Sequence, residues 1–202
     1  MSGILRILAI IAFVVVAGGL VVSCGINTIP TDEEKAKAAW SEVQNQYQRR
    51  ADLVPNLVET VKGYAKQEEK VLTEVVEARA KATSIKIDAS TITDPEKFKQ
   101  FQDAQQGLAG ALGRLISVSE AYPDLKSNQN FMALQSQLEG TENRIAVARR
   151  DYIEAVRVYN TDLRTFPQSI YKSMFYSDSK PMETFTTTPE NQAPPKVNFN
   201  NN

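Results

Sequence analysis

Residues 131–159 read FMALQSQLEGTENRIAVARRDYIEAVRVY, and this stretch decides the fold class. Mostly apolar side chains recur in it at steps of three and four residues without a miss. The positions are Phe131, Leu134, Leu138, Thr141, Ile145, Ala148, Tyr152, Ala155 and Tyr159. This spacing aligns them along one face of an α-helix, as in helices that pack knobs into holes. Leu163 and Phe166 extend the face after a slip of one residue. The stretch therefore predicts a long helix within a bundle.

The preceding segment has the same spacing. Its core positions are Phe98, Phe101, Gln105, Leu108, Leu112, Leu115, Ser119 and Tyr122. Pro95 stands just before them, at the start of a helix, where the missing N–H of proline costs nothing. Pro123 follows them and is typical of a helix end. Residues 95–122 are therefore predicted to form a second long helix.

Upstream, core positions at the same three- and four-residue steps run from Ala36 to Ala82 and continue across Pro55 without a break. Two interpretations remain open: one long helix kinked at Pro55, or two helices that reverse at Asp52–Pro55 with Asp52 capping the second. A continuous helix over residues 32–83 would be about 78 Å long, against about 59 Å for residues 128–166. Because such a helix would leave an uncovered overhang, we favour the reversal.

The predicted class is all-α, and the predicted architecture is an elongated antiparallel four-helix bundle. No stretch alternates with period two for long enough to form a strand. The bundle is assigned to residues 31–166, after a linker at 24–30. Residues 167–202 form a tail that we expect to be partly extended or disordered, with a short apolar helix at 170–176. Phe185, Val197 and Phe199 are predicted to tether this tail to the bundle.

The N-terminal segment has the pattern of a sequence that directs a protein to a membrane or anchors it there. Residues 7–22 are all apolar or glycine, and no charged residue lies between Arg6 and Asp32. In one interpretation, residues 1–23 are a signal peptide, and the lipobox-like Val21–Cys24 marks Cys24 for lipid attachment. In the other, the segment stays uncleaved as a single transmembrane anchor. We favour the lipid anchor, which would place the body outside the cytoplasm at a bacterial membrane.

The amino-acid composition excludes the classes of enzyme and metal site that depend on histidine. The 202 residues include no histidine and one cysteine, and the net charge is −1. There is thus no imidazole for acid–base catalysis or zinc binding, and no internal disulfide. The balanced charge argues against a nucleic-acid partner. The carboxylate pair Glu139 and Glu142 is interpreted as a solvated helix face. We predict no catalytic residue, metal or cofactor, and expect that the protein is not an enzyme.

Two charged residues, Arg50 and Glu68, fall at predicted core positions. A buried charge is costly unless it is paired, so Arg50 should meet Asp52, Glu59 or a carboxylate of the last helix. We favour an arginine whose stem covers the core while its guanidinium reaches water. The alternative is a specificity device or binding centre inside the bundle.

Gly107, Gly110 and Gly113 lie inside the predicted helix of residues 95–122, away from its core positions. Each interior glycine costs a helix up to about 1 kcal/mol relative to alanine. Their smooth face would let a neighbouring backbone approach closely. This face is therefore predicted to dock a partner, either a second subunit or the tail of the protein itself. The alternative is that the glycines only weaken this part of the helix, at a cost that the fold tolerates.

Two blocks of sequence resemble the LemA family. The first, within residues 40–65, contains WSEV, QYQRRADLVPNLV and VKGYA; the second, within residues 122–152, contains YPDLKS, EGTENR and ARRDY. The match continues through YNT and RTFP in residues 159–167 and PKV at 195–197. The resemblance implies a membrane-attached four-helix bundle whose molecular function is not established. Family members usually have an N-terminal hydrophobic segment, often described as a transmembrane helix, and the lipobox-like Cys24 departs from that description.

Together these patterns predict a membrane-anchored, non-catalytic scaffold or interaction protein, with protein partners or self-association. The alternative is a module that binds a small apolar or lipid ligand between its helices. A carrier of that kind needs a cavity of at least about 300 Å³.

Overall fold

The computed structural model describes residues 25–85, 88 and 90–185, together with residues 3, 7–9 and 11–13. Cys24 and most of the predicted N-terminal anchor therefore lie outside the described residues, as do Val197 and Phe199. Residues 7–9 and 11–13 are helical. Within the described residues, no helix is both long enough and apolar enough to cross a membrane.

From residue 25 onward the described chain contains six α-helices and no strand, which confirms the all-α class. They are α1 (Thr28–Tyr64), α2 (Glu69–Ser84), α3 (Pro95–Ser119), α4 (Pro123–Lys126), α5 (Gln129–Asp162) and α6 (Gln168–Phe175). Short 3₁₀ turns, Lys66–Glu68 and Thr91–Thr93, precede α2 and α3. Helix α1 thus begins inside the predicted linker at 24–30, and α6 forms where the sequence predicts a short apolar helix.

The predicted reversal at Asp52–Pro55 is wrong, because α1 passes through Pro55 without a break. A proline cannot bond the carbonyl four residues earlier, which here belongs to Ala51. That carbonyl instead accepts a hydrogen bond from Arg79 Nε of α2 at 2.9 Å. The alternative of one helix over the whole of residues 32–83 does not hold either, since the chain turns at residues 65–68.

Side chains define the starts of α3 and α5. Asp94 accepts hydrogen bonds from the backbone N–H groups of Glu96 and Lys97, and Pro95 occupies the first turn of α3. Asn128 accepts from the N–H of Phe131 at 3.0 Å and thereby caps α5. These caps satisfy N–H groups that have no partner within the helix.

Helix α1 packs most extensively against α5, α2 packs against α3, and α2 also folds back on α1. Helices α3 and α5 are not among the closely packed pairs. Contacts at the two ends show that α1 and α5 run in opposite directions, since Ile29 and Leu163 share one cluster while Val54 and Leu138 share another. A cleft therefore runs between α3 and α5.

The buried apolar side chains of the described residues form two clusters, which we call the aromatic core and the aliphatic core. The aromatic core contains Ile29, Ala36, Trp40, Val43, Tyr47, Ile92, Phe98, Phe101, Ile145, Ala148, Tyr152, Val156, Tyr159, Leu163, Met182 and Phe185. The aliphatic core contains Val54, Leu57, Val58, Val61, Ala65, Leu72, Val75, Ala82, Leu108, Ala111, Leu112, Leu115, Leu125, Phe131 and Leu138. Most of the predicted core positions are among these residues.

Residues 180–185, which we call the strap, lie on the end of the molecule that holds the aromatic core. Met182 and Phe185 are buried, so the predicted anchoring by Phe185 is confirmed. Asn160 bonds both the N–H and the carbonyl of Met182. The predicted continuation of the α5 core face is only half right, because Leu163 is buried whereas Phe166 is 79% exposed.

Candidate interaction site

Arg50 lies in the middle of α1 and is only 2% exposed. One of its terminal nitrogens donates to the side-chain oxygen of Gln105 at 2.8 Å and to the Gln105 carbonyl at 2.9 Å. The other donates to Glu142 Oε1 at 3.1 Å. The favoured interpretation, a guanidinium that reaches water, is therefore wrong. The expected partner, a carboxylate of the last long helix, is confirmed as Glu142.

Arg50, Gln105 and Glu142 form a polar layer between the two cores. On α1, Arg50 lies between Tyr47 of the aromatic core and Val54 of the aliphatic core. Gln105 and Glu142 occupy the corresponding levels of α3 and α5. The guanidinium also lies over the Tyr47 ring, 4.9 Å from its centre. Three helices thus meet at one hydrogen-bonded set of side chains.

The polar layer constrains how these helices sit against one another. Removing one member of a buried ion pair leaves a charge or a hydrogen-bonding group without a partner, which destabilises a fold. Here the Glu142 side chain is 43% exposed, so water also solvates the carboxylate. Arg50 Nε has no hydrogen-bond partner among the described residues. Such a layer can fix the register of α1, α3 and α5 against one another, and its Glu142 side is open to solvent.

Glu68 does not lie in the core, because it belongs to the turn between α1 and α2 rather than to a continuous helix. Its carboxylate accepts a hydrogen bond from Tyr122 Oη at 3.0 Å. This bond raises the pKa of Tyr122 above its usual value, since it holds the phenol in its protonated form. Glu68 therefore links the α1–α2 turn to the end of α3. The structure does not bring it near Arg50 into one site.

The three glycines of α3 are exposed. A Cβ atom added at Gly107 or Gly113 would meet no heavy atom within 4 Å, and at Gly110 it would meet only the Arg114 guanidinium, at 3.8 Å. Within the described residues, therefore, nothing packs on this face. The strap packs elsewhere, and docking at the glycines stays a prediction.

Gly113 also lines a groove of about 600 Å³ between α3 and α5. Its walls are Ala109, Leu112, Gly113 and Ile116 from α3 and Gln135, Leu138, Glu139, Glu142 and Asn143 from α5. Apolar side chains thus face two carboxylates, and Glu142 belongs to both the groove and the polar layer. The interpretation of Glu139 and Glu142 as a merely solvated face is wrong for Glu142. The periodicity of the sequence carries no signal for this groove, because it does not say which helices stand apart.

In the described part of the chain, no group of three or more acidic or cysteine side chains is placed to hold a metal ion. Burial raises the pKa of Tyr47 and of Tyr152, both in the aromatic core. These phenols stay protonated well above neutral pH.

Comparison with known proteins gives one family and several relatives. The model of the LemA family matches residues 39–199. Magnetosome protein MamQ 2 of Paramagnetospirillum magneticum is 25% identical over 207 residues, which cover 95% of this chain and 74% of the relative. Magnetosome protein MamQ of Magnetospirillum gryphiswaldense is 24% identical over 184 residues, 83% of this chain and 67% of the relative. Protein LemA of Metamycoplasma hominis is 25% identical over 140 residues, 69% of this chain and 60% of the relative.

Proposed function

The chain belongs to the LemA family, and from this premise we propose that it is a membrane-anchored scaffold that acts through contacts with other proteins. Its body is an elongated antiparallel four-helix bundle made of α1, α2, α3 and α5. The N-terminal segment holds this body at the outer side of a bacterial membrane, by a lipid on Cys24 or by one transmembrane helix. The protein performs no catalysis of its own.

The open glycine face of α3 carries the proposal. Interior glycines weaken a helix, and here no described side chain uses the space that they leave. Close approach of another backbone would explain why glycines occupy these positions of α3. The relatives named as magnetosome proteins support a role in an assembly at a membrane.

A photo-crosslinking amino acid at Gly110 in the full chain, in intact membranes, tests the scaffold function. The matched control places the same group at Arg150, an exposed position on α5. We expect a discrete crosslinked species of defined mass from Gly110 and none from Arg150. Equal labelling at the two positions, or no product at Gly110, would refute the glycine face as the interaction surface.

The anchor is tested separately with Cys24→Ala. If a lipid on Cys24 holds the protein, this change abolishes incorporation of labelled fatty acid and releases the chain from the membrane fraction. If the segment is an uncleaved helix, the variant stays with the membrane and the wild type takes up no label. Recovery of the wild-type protein in the soluble fraction would overturn both forms of anchor.

A second candidate function is the binding of a small apolar or lipid ligand, and the groove favours it. Its volume of about 600 Å³ exceeds what a small ligand needs. Gly113→Phe should fill the groove and abolish binding of a fluorescent fatty acid, whereas Gly107→Phe, on the same helix but outside the groove, should not. Absence of binding to the wild type would remove this candidate.

A further inference from the structure

The surface around α6 is apolar. Phe166, Ile170, Met174 and Phe175 are all exposed, between 46% and 79%, and we call these four residues the α6 patch. The other exposed large apolar side chains from residue 25 onward are spread over α1, α2 and α5; they are Tyr64, Val76, Met132, Val147 and Ile153. Single exposed apolar residues are ordinary on a protein surface, whereas a concentration of them marks an interaction site.

A neighbouring side of α6 is fixed to the body of the protein. Tyr171 is buried, and a Cβ atom added at Gly25 would lie 2.5 Å from its ring. Tyr176, directly after the helix, packs against the aromatic core. Ile170 and Met174 are about one helical turn apart and therefore share a face of α6. Because Tyr171 and Tyr176 hold the helix, the α6 patch has a defined place on the body.

That place is beside the start of α1, where the chain comes from its N-terminal segment. Gly25, against which the Tyr171 ring lies, directly follows Cys24 in the sequence, and the apolar stretch of residues 7–22 ends three positions before it. Three peptide units span at most about 11 Å. Whichever of the two anchors proposed above holds the protein, the membrane surface therefore comes close to α6.

The charges around α6 suit a lipid surface. The segment of residues 164–180 carries three basic residues, Arg164, Lys172 and Lys180, against one acidic residue, Asp178. Basic side chains are attracted to anionic lipid headgroups. The apolar face of an amphipathic helix enters the boundary between headgroups and acyl chains. The composition of this segment thus matches a helix that lies on a membrane.

We propose that α6 lies on the membrane that anchors the protein, with the α6 patch inserted among the lipids, and that the body stands on this end. The inference rests on the proposed membrane anchor and adds a second contact, which a single attachment point does not provide. Along α1, Val54 of the aliphatic core is about 38 Å from Ile29 of the aromatic core. The groove is thereby held away from the lipids, where a protein partner can reach it.

A photo-crosslinking amino acid at Met174 of the full chain, in intact membranes, tests this contact. The matched control places the same group at Met132, another exposed methionine, beside Phe131 of the aliphatic core. Mass spectrometry distinguishes lipid adducts from protein adducts. We expect the yield of lipid adducts at Met174 to exceed that at Met132 at least about fivefold.

A second pair of variants tests the apolar character of the patch. With the crosslinking group at Phe166, Ile170→Asp together with Met174→Asp should lower the yield of lipid adducts at least about fivefold, because two charges would have to enter the lipid boundary. The control, Val76→Asp with Val147→Asp, adds the same charge on α2 and α5 and should leave the yield unchanged. All four replaced side chains are exposed, so none of the changes opens a core.

Equal lipid adducts at Met174 and Met132, in a chain that stays with the membrane fraction, would overturn this inference and leave the anchor intact. An unchanged yield in the Ile170→Asp, Met174→Asp variant would do the same. Recovery of the wild-type chain in the soluble fraction would overturn the anchor and the inference together. A protein adduct at Met174 in place of the lipid adduct would assign the α6 patch to a second copy or another protein, and the inference would again be wrong.

Discussion

Helices α1, α3 and α5 contribute to both cores, but the two cores are closed differently. In the aromatic core, the ring of Trp40 lies 5.1 Å from that of Phe101 and 5.2 Å from that of Tyr152, and Phe185 of the strap closes the side between α3 and α5. In the aliphatic core, the same side is the open groove. The comparison shows that a chain segment closes the side between α3 and α5 over the aromatic core, whereas the same side is open over the aliphatic core.

Among the substitutions that distinguish the two cores, truncation of Trp40 should cause the largest loss of stability. Trp40→Ala removes a 3%-exposed side chain at the centre of the aromatic core, and we expect a loss of about 3–5 kcal/mol in the free energy of unfolding. Urea unfolding followed by circular dichroism measures it.

The control for that experiment is Trp40→Phe. Trp40 Nε1 has no hydrogen-bond partner among the described residues, so phenylalanine loses volume but no hydrogen bond. We expect Trp40→Phe to cost clearly less than Trp40→Ala. If the two substitutions cost the same, the ring packing of the aromatic core does not carry its stability.

Next in size is the boundary between the cores. Arg50→Met keeps the apolar stem but leaves the Gln105 side-chain oxygen and the Glu142 carboxylate without their donor. We expect a loss of about 2 kcal/mol, because the half-exposed carboxylate regains water while the glutamine oxygen does not.

A double-mutant cycle with Glu142→Gln separates the ion pair from the packing. If Arg50→Met costs the same with and without Glu142→Gln, the two side chains are not coupled and the polar layer does not join α1 to α5. A coupling of about 1 kcal/mol or more between them would support it.

The aromatic core should also respond to alkaline pH, whereas the buried members of the aliphatic core carry no titratable group. Burial raises the pKa of Tyr152 above its usual value of 10.0. A pKa raised by folding contributes stability that is fully present below the unfolded pKa and is lost as pH rises through the folded one. We therefore expect Tm to fall as the pH rises above about 10.

Tyr152→Phe tests this assignment. It removes the hydrogen bond to the Glu183 carbonyl and should cost about 1 kcal/mol at neutral pH. It should also flatten the alkaline decline in Tm. An unchanged decline in the variant would place the titration elsewhere, for example at Tyr47, whose pKa is raised by burial as well.

The smallest expected effect lies at Pro55, on the aliphatic side of the polar layer. Arg79→Met removes the donor to the Ala51 carbonyl, which Pro55 leaves without its helical partner. We expect a loss of about 0.5–1 kcal/mol, because water replaces part of the bond. Pro55→Ala should make the protein indifferent to Arg79→Met, and an undiminished effect in that background would contradict the proposed role of Arg79.

Local pattern was sufficient for some features and insufficient for others. The core faces of α3 and α5 follow from spacing. The path of α1 through Pro55 does not follow from spacing, because the group that compensates the proline is on another helix. The burial of Arg50 depends on Glu142, 92 residues away. Periodicity places Arg50 on the core face but does not supply its partner.

The all-α class, the buried faces of α3 and α5, the family resemblance and the choice of Phe185 as an anchor can all be read from the sequence. The class and the buried faces follow from the helical repeat, because residues three and four positions apart share one side of a helix. Where the chain turns, which charge is buried and which helices stand apart became clear only once the helices were packed together. Those outcomes depend on side chains brought together from distant segments, because every amphipathic helix offers the same kind of apolar face and does not select its neighbour.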